Sequence, residues 1–107
     1  MKILRVSDFT KFPGPRHKKF GDFSGEEFRD TVLIPALDEG EEVKVCLDDV
    51  MGYGSSFLEE AFAGLIRKNI PIDKVRMIAN NLESKDDPCL VSEIRGYIED
   101  EIKRAKN

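Results

Sequence analysis

Along this chain the period of the apolar positions changes several times, and the changes mark out alternating strands and helices. Lys2 to Val6 (KILRV) is a short β-prone run closed by Ser7 and Asp8, which predicts a first strand. From Asp8 to Asp22 the periodicity is lost. Pro13, Gly14 and Pro15 punctuate a basic stretch there, so a loop is expected, with room for a short second strand near His17 to Phe20. At SGEEF, Ser24 precedes Glu27 by the three residues of a capping box, and Phe28, Val32 and Leu33 share one helical face. Pro35 removes a donor and crowds the turn before it, so a kink or a break is expected, with Gly40 as the latest end.

Glu42 to Asp48 is the strongest strand, with Val43, Val45 and Leu47 on one face and Cys46 on the other. It leads into DDVMGYGSSFLEEAF, where two glycines flank a tyrosine and two serines precede a helical pattern. Phe57, Leu58, Ala61, Phe62, Leu65 and Ile66 form a broad stripe that should stop near Asn69, before Pro71. The run KVRMIA, Lys74 to Ala79, predicts a further strand, and NNLESKDDP a polar loop. Pro88 suits the first turn of a final helix over about 88–105, carrying Leu90, Val91, Ile94, Ile98 and Ile102. Strands alternating with helices of this length imply a small α/β domain. The expected sheet is mixed or parallel, of about four strands, with helices packed on it. No repeat or linker interrupts residues 1–107, which are expected to form a single domain.

Composition narrows the function. With 107 residues, 40% of them apolar and 36% charged, the chain can build one two-layer core beneath a well-charged surface. A net charge of −4 gives no overall electrostatic drive toward nucleic acid. No apolar run approaches the roughly 18 residues of a membrane helix, and no signal-peptide pattern is present. Cys46, Cys89 and His17 lie far apart, which suits neither a disulfide framework nor a zinc set. The expectation is a reduced, cytoplasmic protein without metal or cofactor.

Chemistry, if any, belongs at the strand-to-helix junction, because ligands gather at the carboxyl ends of strands in α/β sheets. A helix N-terminus offers unpaired N–H groups and a partial positive charge. Ser56 stands three residues before Glu59, again the capping-box spacing, and is read as the cap. Ser55 is then left over for another role. GYGSS has neither the lysine nor the spacing of a P-loop, and it does not match the G-x-S-x-G of serine hydrolases. An enzyme is therefore not expected. In PRHKK, Arg16 has the planar fork that clamps a carboxylate or a phosphate. If its loop folds over the junction, Arg16 can hold Glu59 or a phosphate; otherwise it is exposed. Tyr53 is either a solvent-facing anchor for a partner or packed over the sheet edge. Phe28, Phe57 and Phe62 read as core.

A resemblance adds to this reading. An aspartate-ending strand followed by paired serines resembles the STAS domain of anti-sigma factor antagonists and of the cytoplasmic parts of sulfate transporters. There an Asp-Ser-Ser-Gly-type motif carries a serine phosphorylated by a partner kinase. Here Gly54 stands in place of the aspartate and Phe57 in place of the glycine, and Ser55 matches the phosphoacceptor. The chain is still more similar to a STAS-like family of bacterial and phage proteins without settled function. Gly14-Pro15-Arg16, Ser24 to Arg29 (SGEEFR) and Ser55 to Phe62 (SSFLEEAF) carry that similarity, which spans about Val6 to Ile78. It implies a non-enzymatic regulatory module that docks a protein partner, such as a histidine-kinase-type ATPase, through Arg16, Gly52, Tyr53, Gly54, Ser55 and Glu59. Ser55 and Ser56 are its phosphoacceptor candidates, and a homodimer is compatible with it. The alternatives are a small anionic ligand or nucleotide held at the junction, or a phage- or defence-associated inhibitor or antitoxin.

Overall fold

In the computed structural model, which describes residues 1–106, three parallel strands make one sheet. β1 is Lys2–Arg5, β2 is Val43–Cys46 and β3 is Leu82–Glu83, and the spatial order equals the chain order. Leu4 pairs with Val45, and Val45 with Leu82. Paired residues share a face, so these three form one apolar row against the core. The other face carries exposed Ile3 and Arg5 and an ion pair between Lys44 and Glu83. Parallel strands need long connections, and those connections supply the helices.

After β1 comes a short helix, α1 (Val6–Phe9), and the following loop contains a 3-10 turn at Lys18–Phe20. The short strand expected near His17 to Phe20 is that turn. Two longer helical segments follow, α2 over 25–38 and α3 over 55–67. Each has a π turn in its middle, Arg29–Leu33 and Glu59–Ala63. The N–H of Ile34 accordingly reaches back five residues to the Arg29 carbonyl. Pro35 does not break α2, which stays helical across it to Asp38. The widened turn shifts the carbonyls that the proline ring would otherwise crowd.

The third crossover overturns one expectation. Lys74 to Ala79 is not a strand but part of helix α4, Ile72–Asn80. Val75, Ile78 and Ala79 are its buried residues, spaced three and four apart, and Ile72 precedes them at the same period. Pro71 sits just before its first turn, where a missing N–H costs nothing. The third strand is instead the two-residue β3, inside the stretch expected to be a polar loop. It pairs because the Asn81 and Glu83 carbonyls accept from the N–H groups of Val45 and Leu47. The sheet thus has three strands, not about four. The last helix, α5, is Cys89–Lys106.

Phe28, Phe57 and Phe62 are fully buried where α2 meets α3, with Phe28 centred 6.1 Å from Phe57 and 6.5 Å from Phe62. Gly25 allows the close approach. A Cβ there would lie 2.4 Å from the Phe57 carbonyl oxygen. Ile94, Ile98 and Ile102 of α5 close the core.

Candidate docking edge and its charged support

Because all three strands run the same way, their carboxyl ends share one edge, and the loops after them collect there. Asp48, just past β2, holds the loop that follows β3. Its carboxylate accepts from the N–H of Lys85 at 2.9 Å, the N–H of Asp86 at 3.0 Å and the Ser84 hydroxyl at 3.2 Å. The amides of Asp86 and Lys85 hold its pKa below the ordinary aspartate range. The N–H of Met51 donates to the Lys11 carbonyl at 2.8 Å, which ties in the loop after α1. Gly52 adopts φ 141° with open space around it, a conformation that side chains resist.

Of the two placements open to Tyr53, the structure takes packing. Its hydroxyl donates to the Leu47 carbonyl at 2.7 Å, its ring lies 6.1 Å from Phe57, and burial pushes its pKa up.

The serines divide differently from the capping-box reading. α3 begins at Ser55 with Gly54 as the cap residue, extended at φ −83° and ψ 145°, and no side chain caps it. Ser56 therefore sits inside the first turn, where its hydroxyl cannot meet the N–H of Glu59. The Glu59 carboxylate is turned to arginines instead. Both serines are exposed, and the Ser55 side chain lies beside the Tyr97 hydroxyl. Among the described residues no acceptor meets the amides of Ser55 or Ser56.

α2 begins in the opposite way. Ser24 Oγ accepts from the N–H of Glu27 at 3.0 Å, as the spacing predicts. The Pro15 and Arg16 carbonyls accept from the N–H groups of Gly25 and Glu26 at 2.9 and 3.0 Å. The α3 start, unlike that of α2, keeps these donors free among the described residues.

Beneath the junction lies a cluster of alternating charge. Arg16 Nη1 donates to Glu59 Oε1 at 2.5 Å, so its loop does fold over the start of α3. Arg67 donates to both oxygens of Glu59 at 2.8 and 3.0 Å, to Glu60 at 3.1 Å and to Glu101 at 2.6 Å. Arg29 donates to Glu60 and, at 2.8 Å, to Asp30. The hydrogen bonds from Arg67, with those from Arg16, hold the Glu59 carboxyl down at about 2. Burial opposes the charge on Arg29, yet its bonds to Asp30 and the nearby Glu60 leave its pKa above the ordinary value.

Arg29, Arg67, Glu60 and Glu101 were not singled out as a cluster in the reading of the sequence. One signal was present: Gly64 stands within an apolar helical stripe, where glycine costs about 1 kcal/mol against alanine. Its reason is room. A Cβ on Gly64 would lie 2.8 Å from Arg29 Nη1 and 3.0 Å from Glu60 Oε2.

A third cluster joins Cys46, Asp48 and Glu83, whose donor atoms lie within 4.8 Å of one another. Asp48 is committed to the loop amides, and Glu83 pairs with the Lys44 ammonium, a cation that would oppose a metal ion. No helix among the described residues is long and apolar enough to cross a membrane.

The family model for a STAS-like domain of unknown function matches residues 24–86, more than half of the chain. The match begins at the Ser24 cap and takes in β2, the serine junction and β3. None of the curated proteins and none of the solved structures compared matches this chain.

Proposed function

The chain belongs to the STAS-like domain family of unknown function, and on that premise we propose that it is a regulatory protein–protein interaction module rather than an enzyme. The partner docks on the edge from Gly52 to Glu60, and phosphorylation of Ser55 or Ser56 sets its affinity. A partner ATPase or kinase supplies the phosphate. One observation carries the reading: Ser55 and Ser56 are exposed at a helix start whose first amides meet no acceptor among the described residues. A phosphate there adds about −1.5 to −2 charges opposite free N–H groups and the positive end of a helix. Arg16 supports the site without contacting the phosphate, because it is already committed to Glu59.

The test is partner capture by the wild type and by Ser55→Ala, Ser55→Asp and Ser56→Asp, with intact mass measured on protein from its native cells. The expected result is phosphate on one of the two serines and an affinity that differs between the alanine and aspartate forms. Partners indifferent to all three substitutions, bound to folded protein, would sink the switch.

The same unpaired amides favour a second reading, an anionic ligand held at the junction. A nucleotide and phosphate panel read by thermal shift decides it. A ligand at a hundred times its Kd stabilises by about 2.7 kcal/mol.

A further inference from the structure

The docking edge has a cleft beside the serines. Val50, Tyr53 and Leu90 wall it, Asp86, Asp87 and Glu93 ring it, and it encloses about 290 Å³. That lies at the bottom of the roughly 300–1,000 Å³ range of small-molecule pockets, so it suits one long side chain better than a nucleotide. Three features bear on what fills it.

The first is uncompensated charge. Among the described residues none of the three carboxylates is in an ion pair. Each meets neutral donors only: Asp86 the N–H of Asp49 at 3.4 Å, Asp87 that of Cys89 at 3.2 Å, and Glu93 the Tyr97 hydroxyl at 2.6 Å. The acidic groups beneath α3, by contrast, are all matched with arginines. Second, no basic residue lines the cleft.

The third feature is exposed apolar surface at its mouth. Met51 is 76% exposed, and Phe12 is 70% exposed one residue beyond Lys11, whose carbonyl takes the Met51 amide. The backbone bond brings the chain just before Phe12 to Met51, whose exposed side chain lines the acidic cleft.

We infer that this edge takes a basic segment of a protein partner, an arginine or lysine entering the cleft while a neighbouring apolar side chain lies on Phe12 and Met51. The aliphatic stem of the basic residue meets Val50 and Leu90, and its charged head meets the carboxylate rim, which matches how long basic side chains distribute their two parts. This rests on the docking function proposed above and names the chemistry of its partner. It also places the acidic cleft next to Ser55, so that phosphate there would add to the same negative field.

The probe is a short fluorescent peptide with a leucine between arginines and lysines, alongside a copy with glutamates in place of the basic residues. Saturable binding of the basic peptide alone is expected, weakening with salt as rim charge requires. Glu93→Gln with Asp86→Asn keeps an oxygen for each neighbouring donor and should weaken it about tenfold, or 1.4 kcal/mol. Met51→Ser should weaken it by a similar factor without altering the salt dependence. Equal binding of the acidic peptide, no binding of either, or affinity unchanged by both variants overturns the basic occupant. So does a Met51-dependent dimer of this chain that occludes the cleft, read by sedimentation. Partner capture that still responds to Ser55 substitution under any of these outcomes leaves the docking function standing and removes only its basic partner.

Discussion

Arg29 and Glu60 form an ion pair between the π turns of two packed helical segments, their side chains only 4% and 8% exposed. A π turn widens the helix at one level. Here two such turns are packed together and hold a buried guanidinium against a buried carboxylate, with Asp30 on the Arg29 side. Arg67 and Arg16 extend the pair outward to Glu59 and to the surface. The start of α3 is thereby fastened from below and from one side, while its serines remain free. The charged cluster keeps the candidate docking edge in shape.

Breaking that pair from one side should cost far more than removing it whole. Glu60→Ala leaves the buried Arg29 with Asp30 alone and is expected to destabilise by about 3–5 kcal/mol in urea unfolding. The double variant Arg29→Met with Glu60→Leu should recover most of that loss, because no uncompensated charge then remains.

Gly64→Ala sets two effects against each other. Alanine improves helix propensity by about 1 kcal/mol, but its Cβ would meet Arg29 at 2.8 Å and Glu60 at 3.0 Å. Both groups are fixed by their pairing, so the clash wins. A net loss of about 1–2 kcal/mol is expected. A Tm equal to or above that of the wild type would show that the arginine moves aside freely.

Acid should loosen the support of α3 over a defined window. The Glu59 carboxyl lies at about 2 in the folded protein, below the ordinary 4.5. A depressed carboxyl contributes its stability above the unfolded value, and that contribution fades as pH falls from about 4.5 through 2. Asp48, also depressed, acts in the same direction. Unfolding free energy measured by urea between pH 6 and pH 2.5, in the wild type and in Glu59→Gln, checks it. The Gln variant should be the less stable at pH 6, and the gap should narrow on acidification.

The two serines with capping-box spacing should behave oppositely. Ser24→Ala removes a real cap bond and is expected to cost about 1 kcal/mol. Ser56→Ala removes no bond to its helix and should stay within about 0.5 kcal/mol of wild type. Comparable losses at both positions would mean that Ser56 caps after all.

The sequence by itself determined whatever rests on local chemistry. The Ser24 cap, the alternation in β2, the apolar stripes of α3 and α5, and the α/β class all follow from side-chain period and from single residues that bond to their own backbone. Those signals are complete within a few residues, so they can be read without a fold. The junction carrying Ser55, and the STAS-like family to which the chain belongs, were also open to such reading. What only the tertiary structure decided depends on partners distant in the chain. KVRMIA carries both a two-residue and a helical period, and packing of Val75 and Ile78 into the core selected the helix. β3 is two residues long and exists because Val45 and Leu47 offer it N–H groups. Ser56 has no cap role because the helix already begins at Ser55, with Gly54 as its cap residue, while the Glu59 carboxylate goes to Arg16 and Arg67, forty-three residues before it and eight after it. Charged residues carry no period, so a buried ion pair between two helices leaves little trace in sequence beyond the glycine that makes room for it.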